Sequence, residues 1–593
     1  MENDTLNHKI ETKKNKARIL NKKNLFRFLF LGMMVLAIFL RSYHFSDWLH
    51  FELDQARDAE VVSEAVIGGI NNLPLLGPRA QGTFLRLGPA FYYLSYLSAK
   101  VSGNTPPGIA SGVLVLSVLA LPIFYLYFRR YFDKKISIIL VFLAGASAFL
   151  IVYSRFAWNP NYLVFFVPLS FYAMLRAVDT GEKRRNIWLI ISFAALSIST
   201  QLHFLAFIIL PIVFFIFLLV KRPKLKLIVW SLAILSALLF YAPVFINETM
   251  TGGDNTEQFF GAITDKSEKN EAGLAKKVFL NLKEHSAGYF LMLSGRDGNS
   301  LLGLNLNGIA SYFRRCDEND CPQDYYLGLI SAMFLVSGFS LLVLRWKRKT
   351  DSVKKDFLFL NGTFFFISFA IFTPLALSIS PRFFLLGAFM PFIFLGLIFE
   401  TISKKYYLDY IIPAMVLAVL IFSNGKEAAS RFFQLAGASQ NNIKIENDSI
   451  LKEKTRVTYS QEKQIAEYMM ENQKKNGYPI LFYGETRYVS AIAYIFERKN
   501  VLFNDRINHD KIYRYVNYFW VDYRKPDNQY KIGKKEESFY DIAEIKNFGT
   551  LAVLKLIPKE EAITDDYKIF DDRQSKSSGP KRYNWSEITL DED

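Results

Sequence analysis

Residues Phe51-Glu52-Leu53-Asp54-Gln55-Ala56-Arg57-Asp58-Ala59 place three carboxylates directly after a long apolar run. Acids beside a membrane are costly unless a partner or a reaction keeps them there. On a helix starting near Asp54, Asp54 and Asp58 share a face four residues apart, with Arg57 beside them. A carboxylate poised at an interface can take a proton from a hydroxyl or an amine. The competing structural reading has Asp54 capping the helix and Asp58 pairing with Arg57 or Arg86.

Other polar residues recur where apolar runs turn. Arg86-Leu87-Gly88-Pro89 leads into Phe91-Tyr92-Tyr93. A second turn reads Tyr153-Ser154-Arg155-Phe156-Ala157-Trp158-Asn159-Pro160-Asn161. Asn159 or Asn161 can hold a hydroxyl but cannot act as a base at neutral pH. Alternatively, Asn159-Pro160 starts a helix, Trp158 anchors the interface and Arg155 meets headgroups. Gln201 and His203 mark a further turn, His203 being read as a packing residue before a ligand contact. Ser380-Pro381-Arg382-Phe383 opens a late apolar run, where Arg382 can grip a phosphate or snorkel to the interface. Cys316 and Cys321 suit a loop-stapling disulfide, with unpaired thiols as the alternative and no catalytic role in either case.

The elements that must carry these residues are membrane spans. The 593 residues are 51% hydrophobic and 16% aromatic, and apolar runs repeatedly reach the roughly 20 residues needed to cross hydrocarbon. The formal charge of +16 would suggest nucleic acid only if its basic residues formed a binding face. They instead sit between apolar runs, and nucleic acid is excluded as a partner. Lys13, Lys14, Lys16, Arg18, Lys22, Lys23 and Arg27 precede the first run, which places the basic N-terminus, 1–23, in the cytoplasm. Runs at 24–43, 109–128, 136–153, 160–178, 187–220, 227–246, 324–345, 357–379, 382–400 and 406–424 follow, with 187–220 holding two short spans. Basic connectors close the alternation only if 84–101 lies along the interface, giving about eleven spans.

That topology puts the segments 44–108 and 247–323, the turns at 154–159, 200–203 and 378–382, and everything after 424 outside. The spanning unit is 24–424. Residues 425–560 become polar and alternate helix with strand: a helix over Gln461–Lys474, a strand over Ile480–Tyr483, a helix near Val489–Phe496 and a strand over Leu551–Leu556. They are expected to form an extracytoplasmic α/β domain, and the acidic stretch 561–593 a flexible tail.

The order of the first outward segment resembles that of the GT-C membrane glycosyltransferases, in particular glycosyltransferase family 39: the protein O-mannosyltransferases and the lipid A aminoarabinose transferases. Asp54 stands where that family has its first acid. Leu75-Leu76-Gly77-Pro78 is similar to the segment that follows, and Gly88-Pro89 with Tyr92-Tyr93 to the start of its Tyr-rich helix. The likeness covers roughly residues 20–220. The family's usual acid pair is Asp-Glu, whereas this chain has Asp54-Gln55, so Glu52 or Asp58 supplies the second carboxylate or none is needed. The turn at Arg155 and the Arg382-Phe383 element are similar to the family's corresponding elements.

The resemblance implies an α-helical polytopic membrane protein of GT-C type, with about 11 to 13 transmembrane helices. It also implies transfer of a sugar from a polyprenyl-phosphate donor to a lipid, glycan or protein acceptor on the outer face of the cell membrane. Asp54 would be the general base, with Asp58 and Glu52 as further candidate acids. Arg86, Arg155 and Arg382 would hold the donor phosphate, while Tyr92 and Trp158 would stack on the sugar. Arg57, Tyr93, Asn159, Asn161 and His203 complete the expected binding residues. Glu52, Asp54 and Asp58 have oxygen ligands for a divalent ion, but no metal is assigned. A transporter or flippase of a lipid-linked saccharide is the alternative, opposed by spans nearly free of ionisable residues; a scaffold with an external binding domain ranks third.

Overall fold

The computed structural model describes residues 28–80, 85–268, 273–296, 321–348, 351–406, 411–443, 445, 448–505, 511–566 and 582–588. Seven described helices are long and apolar enough to cross a membrane, or eight if the bent pair Pro381–Gly387 and Met390–Ser403 is one span. The seven include Pro106–Phe128, Phe204–Lys221, Leu227–Thr251 and Ile411–Gly437. The shorter apolar helix Phe28–Ser42 precedes them. The chain is therefore a polytopic membrane protein, and its lipid-facing residues, such as Phe215, Leu239 and Phe422, are exposed as hydrocarbon requires.

Several expected spans are interrupted. The run 136–153 breaks at Ser147 into Lys134–Ala146 and Ala148–Tyr153. Ser147 donates its hydroxyl to the Met292 carbonyl at 2.6 Å, and the Asn424 side chain accepts from the Ala148 amide at 2.8 Å, so the freed backbone finds partners inside the bundle. The run 382–400 bends by 64° after a 3₁₀ segment that starts at Pro381. The run 187–220 divides at His203 into Arg185–Leu202 and Phe204–Lys221, as two short spans require.

The segment 247–323, expected as a loop, contains the helices Asp254–Glu268 and Leu274–Ser294. The second is buried in the bundle from His285 to Ser294. Its polar residues hid it from a hydropathy reading: Asn281 donates to the Phe369 carbonyl at 2.7 Å and to Thr373 Oγ1 at 2.9 Å. Cys316 lies outside the described residues, and with it the expected disulfide.

The helix Ile411–Gly437 runs through the boundary expected at 424–425 and leads to a five-stranded sheet. The strands are β1 (Ile480–Gly484), β2 (Phe503–Asn504), β3 (Asn517–Tyr523), β4 (Tyr540–Phe548) and β5 (Leu551–Pro558), in the order β2-β1-β3-β5-β4. β1 pairs in parallel with β2 and β3, whereas β5 is antiparallel to both β3 and β4. The continuous apolar run of β1 fits a strand buried on both faces. Helices Tyr459–Asn476 and Thr486–Arg498 cover one face through Ile465, Met469, Ile492 and Phe496. Ile512, Tyr513 and Ile532 pack on the other.

This α/β domain rests on the segment that carries the first-loop acids. Phe51 meets the rings of Tyr459 and Tyr494 at 5.4 Å each, and the Tyr494 and Ser63 hydroxyls are 2.9 Å apart. The Tyr459 amide donates to the Leu49 carbonyl at 3.2 Å. The first loop thus lies between bundle and domain.

Candidate active site

Helix Leu53–Gly68 begins after Glu52, whose amide donates to Gln55 Oε1 at 3.2 Å. Gln55, standing where the resembled family has its second acid, thereby serves the helix start. Glu52 takes the capping position that the competing structural reading gave to Asp54, which leaves Asp54 in the first turn, where the helix dipole favours an anion.

Arg57 organises the acids. It donates to Asp54 Oδ1 at 3.1 Å and grips Asp58 Oδ1 through Nε at 3.0 Å and Nη2 at 2.9 Å. Tyr92 donates to that same Asp58 oxygen at 3.0 Å. The Asp54 side chain is 43% exposed, whereas that of Asp58 is 4% exposed. Asp58 Oδ2 is buried without a hydrogen-bond partner among the described residues. Burial raises the Asp58 carboxyl above its ordinary range despite Arg57. The same acids hold Arg57 firmly protonated.

The loop between this helix and helix Ala90–Ser102 is folded by close backbone approach. The Gly77 amide donates to the Leu87 carbonyl at 2.6 Å and the Leu87 amide to the Pro78 carbonyl at 3.0 Å. A Cβ on Gly77 would lie 2.2 Å from the Gly88 carbonyl oxygen, and one on Gly88 would lie 2.4 Å from Gln201 Cγ. Gln201 accepts from the Ala90 amide at 3.3 Å, tying the start of that helix to the later turn. These contacts give the Leu75–Pro78 and Gly88-Pro89 segments a physical purpose: they aim Tyr92 at Asp58.

Arg86 reaches the Gly77 carbonyl at 3.4 Å, while its Nε is buried without a hydrogen-bond partner among the described residues. Burial, followed by the like charges of Arg582, Arg79 and Arg57, brings its guanidinium down to about 10. Arg382 lies 4.7 Å over the Trp158 ring and is coupled electrostatically to Tyr153 and Asp54. His203 accepts from the Leu205 amide at 3.2 Å, which starts the next helix, and its ring meets Phe383 at 5.4 Å.

The remaining expected residues have other work. Arg155 donates to the carbonyls of Arg41 at 2.9 Å and Tyr43 at 2.8 Å, and it packs on Phe432 at 5.2 Å. Its donors fasten the end of the first helix, a use that competes with holding a phosphate. Asn159 donates to the Leu202 carbonyl and Asn161 to the Phe156 carbonyl, so both brace turns. Tyr92 is 1% exposed and is engaged by its hydroxyl, which leaves its ring no free face for a sugar. The Tyr93 hydroxyl accepts from Trp585 Nε1 at 2.8 Å. Arg382 covers one face of Trp158.

Glu52 belongs to a second cluster that sequence reasoning missed. His50 lies 3.0 Å from Glu453 and 3.8 Å from Glu52. Arg456 binds Asp448 at 2.6 Å and Glu453 at 2.5 Å, and Arg431 reaches both acids at 3.4 and 3.2 Å. Arg487 approaches Glu52 at 3.9 Å. His50, Glu52 and Glu453 are close enough to hold a cation. With His50 protonated, the cations His50, Arg431, Arg456 and Arg487 already offset the anions Glu52, Asp448 and Glu453. A divalent ion placed among two arginines would upset that balance, so the residues fit a proton on His50 better than a metal. The alternation of charge in Asp448–Arg456 was the available signal.

Residues 87–246 match the family described as dolichyl-phosphate-mannose-protein mannosyltransferase. Among solved structures, the chain is similar to ArnT from Cupriavidus metallidurans bound to undecaprenyl phosphate, with a TM-score of 0.51 and 12% identity over 90% of this chain and 98% of that one. The apo form of that protein gives 0.48 at 12% identity over the same shares. The apo oligosaccharyltransferase from Archaeoglobus fulgidus gives 0.47 at 13% identity, over 85% of this chain and 70% of that one. No curated protein matches the sequence. The chain thus shares the fold of that ArnT structure, and its residues 87–246 are similar to the dolichyl-phosphate-mannose-protein mannosyltransferase family.

Proposed function

We propose that this protein transfers a sugar from a polyprenyl-phosphate donor to a lipid, glycan or protein acceptor on the outer face of the membrane, with Asp54 as general base. The observation that carries the reading is the Asp54–Arg57–Asp58–Tyr92 chain, which presents one accessible carboxylate and fixes it from behind with a buried one. Undecaprenyl phosphate bound to the similar ArnT, together with the mannosyltransferase match, supports a lipid-linked donor.

In the proposed step, Asp54 accepts the proton of the acceptor hydroxyl or amine as that atom attacks the anomeric carbon. The bond from the anomeric carbon to the phosphate oxygen breaks, and the phosphate leaves with the electron pair, stabilised by arginine. Arg86, whose buried Nε has no hydrogen-bond partner among the described residues, and Arg382 over Trp158 are the candidates, while Arg155 commits donors to the Arg41 and Tyr43 carbonyls. Asp58 holds Arg57, and through it Asp54, in place. No covalent intermediate is required.

The test is transfer of labelled sugar from a panel of polyprenyl-phosphate donors in membranes holding matched amounts of wild type or Asp54→Asn. Label that depends on the wild type and is lost in the variant is the expected result and identifies the acceptor fraction. Full transfer by Asp54→Asn removes Asp54 as the base. No label in either, across the panel, favours a transporter of the lipid-linked saccharide.

A further inference from the structure

The segment 582–588 was expected to be part of a flexible tail, yet it lies against the first loop through an isolated antiparallel bridge. The Leu75 amide donates to the Tyr583 carbonyl at 2.8 Å, the Trp585 amide donates to the Leu73 carbonyl at 3.3 Å, and Pro74 and Asn584 form an antiparallel bridge. Side chains fix the register. Trp585 Nε1 donates to the Tyr93 hydroxyl at 2.8 Å, and the Tyr583 amide donates to Asn247 Oδ1 at 3.1 Å. The Glu587 carboxylate accepts from the Asn584 amide at 2.6 Å, starting a last short turn.

This register sets Arg582 over the Tyr92 ring, 5.7 Å from its centroid, on the tyrosine whose hydroxyl binds Asp58. Arg582 is coupled there to Arg86 and to Glu64. Arg582, Arg79 and Arg57 thus act on Arg86 as like charges, and the Asp54 and Asp58 carboxylates are already taken by Arg57. Arg86 adds a buried Nε with no hydrogen-bond partner among the described residues. Like charges gathered around an unsatisfied donor are an arrangement that an anion would complete.

We propose that the C-terminal segment is a strap that brings Arg582 into the donor site, where Arg582 and Arg86 together bind the phosphate of the lipid-linked donor. The proposal rests on the glycosyltransferase reading and adds a binding residue from the far end of the chain. The strap also couples phosphate binding to its own docking: an anion between Arg582 and Arg86 relieves their repulsion and holds the segment down. Trp585, which touches Tyr93 and not the phosphate, acts as a positioning residue.

The experiment uses the full chain in detergent and measures binding of undecaprenyl phosphate, with phosphatidylglycerol and inorganic phosphate as separate arms. Arg582→Ala is expected to weaken undecaprenyl phosphate about tenfold, as loss of one charge-assisted contact does. Arg582→Lys is expected to retain part of that affinity, with phosphatidylglycerol unaffected in both variants. Undecaprenyl phosphate should slow tryptic cleavage after Arg582 in the wild type, and Trp585→Ala should abolish that protection. If the wild type binds and Arg582→Ala binds within twofold of it, the strap proposal fails while the donor reading stands. Equal loss of phosphatidylglycerol would make Arg582 a general headgroup contact and overturn the proposal. A wild type that binds no undecaprenyl phosphate overturns both.

Discussion

Arg57 decides how the first-loop acids divide their roles, because one guanidinium serves an exposed and a buried carboxylate at once. On the proposed reading Asp54→Asn removes the proton acceptor, and it should lower transfer by about 10²-fold or more without changing the folded amount. Equal activity in a donor-saturated assay would sink that role. Arg57→Ala leaves Asp58 buried with only Tyr92 donating to it, and it should destabilise the protein by about 1–2 kcal/mol after discounting for the half-exposed arginine. An Arg57→Ala thermal midpoint equal to that of the wild type would contradict this. The acids, the arginines and the Tyr pair were all visible as residue types. That Arg155 commits donors to backbone was not, because the carbonyls of Arg41 and Tyr43 lie more than a hundred residues away in sequence.

Two elements hold the site in register, the glycine-folded loop and the charged clasp beneath the α/β domain. Gly77→Ala would set a methyl group 2.2 Å from the Gly88 carbonyl oxygen, and backbone must move to admit it. About 1–3 kcal/mol of destabilisation is expected, read as a lower melting temperature, together with loss of transfer as Tyr92 leaves Asp58. In the clasp, the Arg456 side chain is 3% exposed and binds two acids. Arg456→Met should cost about 3 kcal/mol and loosen the domain against the bundle, measurable by limited proteolysis. Two helices of the domain and the strands β1 and β5 were readable from their apolar pattern, whereas β2, β3 and β4 were not. The clasp was not, since His50 and Glu453 are separated by some four hundred residues and meet only when the domain docks.

At the scale of the whole molecule, the clasp makes that docking depend on pH. Glu52 and Glu453 hold a proton on His50 above its ordinary value of 6.5, against burial and the Arg431 charge. Its contribution is full below about 6.5 and lost as pH rises through the raised value. Glu453 is held below its ordinary 4.5 by Arg431, His50 and Arg456 despite burial, so its contribution is present above 4.5 and lost as pH falls through the depressed value. Glu52, raised chiefly by burial, follows the direction of His50, with the His50 and Arg487 charges opposing. The melting temperature of wild type should therefore exceed that of His50→Gln more at pH 6 than at pH 8. A pH-independent difference would remove the protonated histidine from the account. The contacts of Phe51 with Tyr459 and Tyr494 also place the first loop and the α/β domain on one side. Cysteines introduced at Asp47 and Lys463 should react with an impermeant reagent from the same side of the membrane, and cysteines at Lys134 and Lys183 from the other.

That the chain crosses the membrane is legible in the order of its residues, because hydrocarbon demands long apolar helices and writes them directly into composition. The resemblance is legible there too, since the Asp54, Gly77-Pro78, Gly88-Pro89 and Tyr92-Tyr93 order is local. Tertiary structure alone decided the rest. Helix Leu274–Ser294 enters the core because Asn281 finds Phe369 and Thr373 there, contacts that no hydropathy window registers. Trp585 and Arg582 reach Tyr93 and Tyr92 only because backbone at Leu73–Leu75, more than five hundred residues earlier, pairs with Tyr583 and Trp585. Partners that distant leave no period or motif in the chain, and folding alone brings them together.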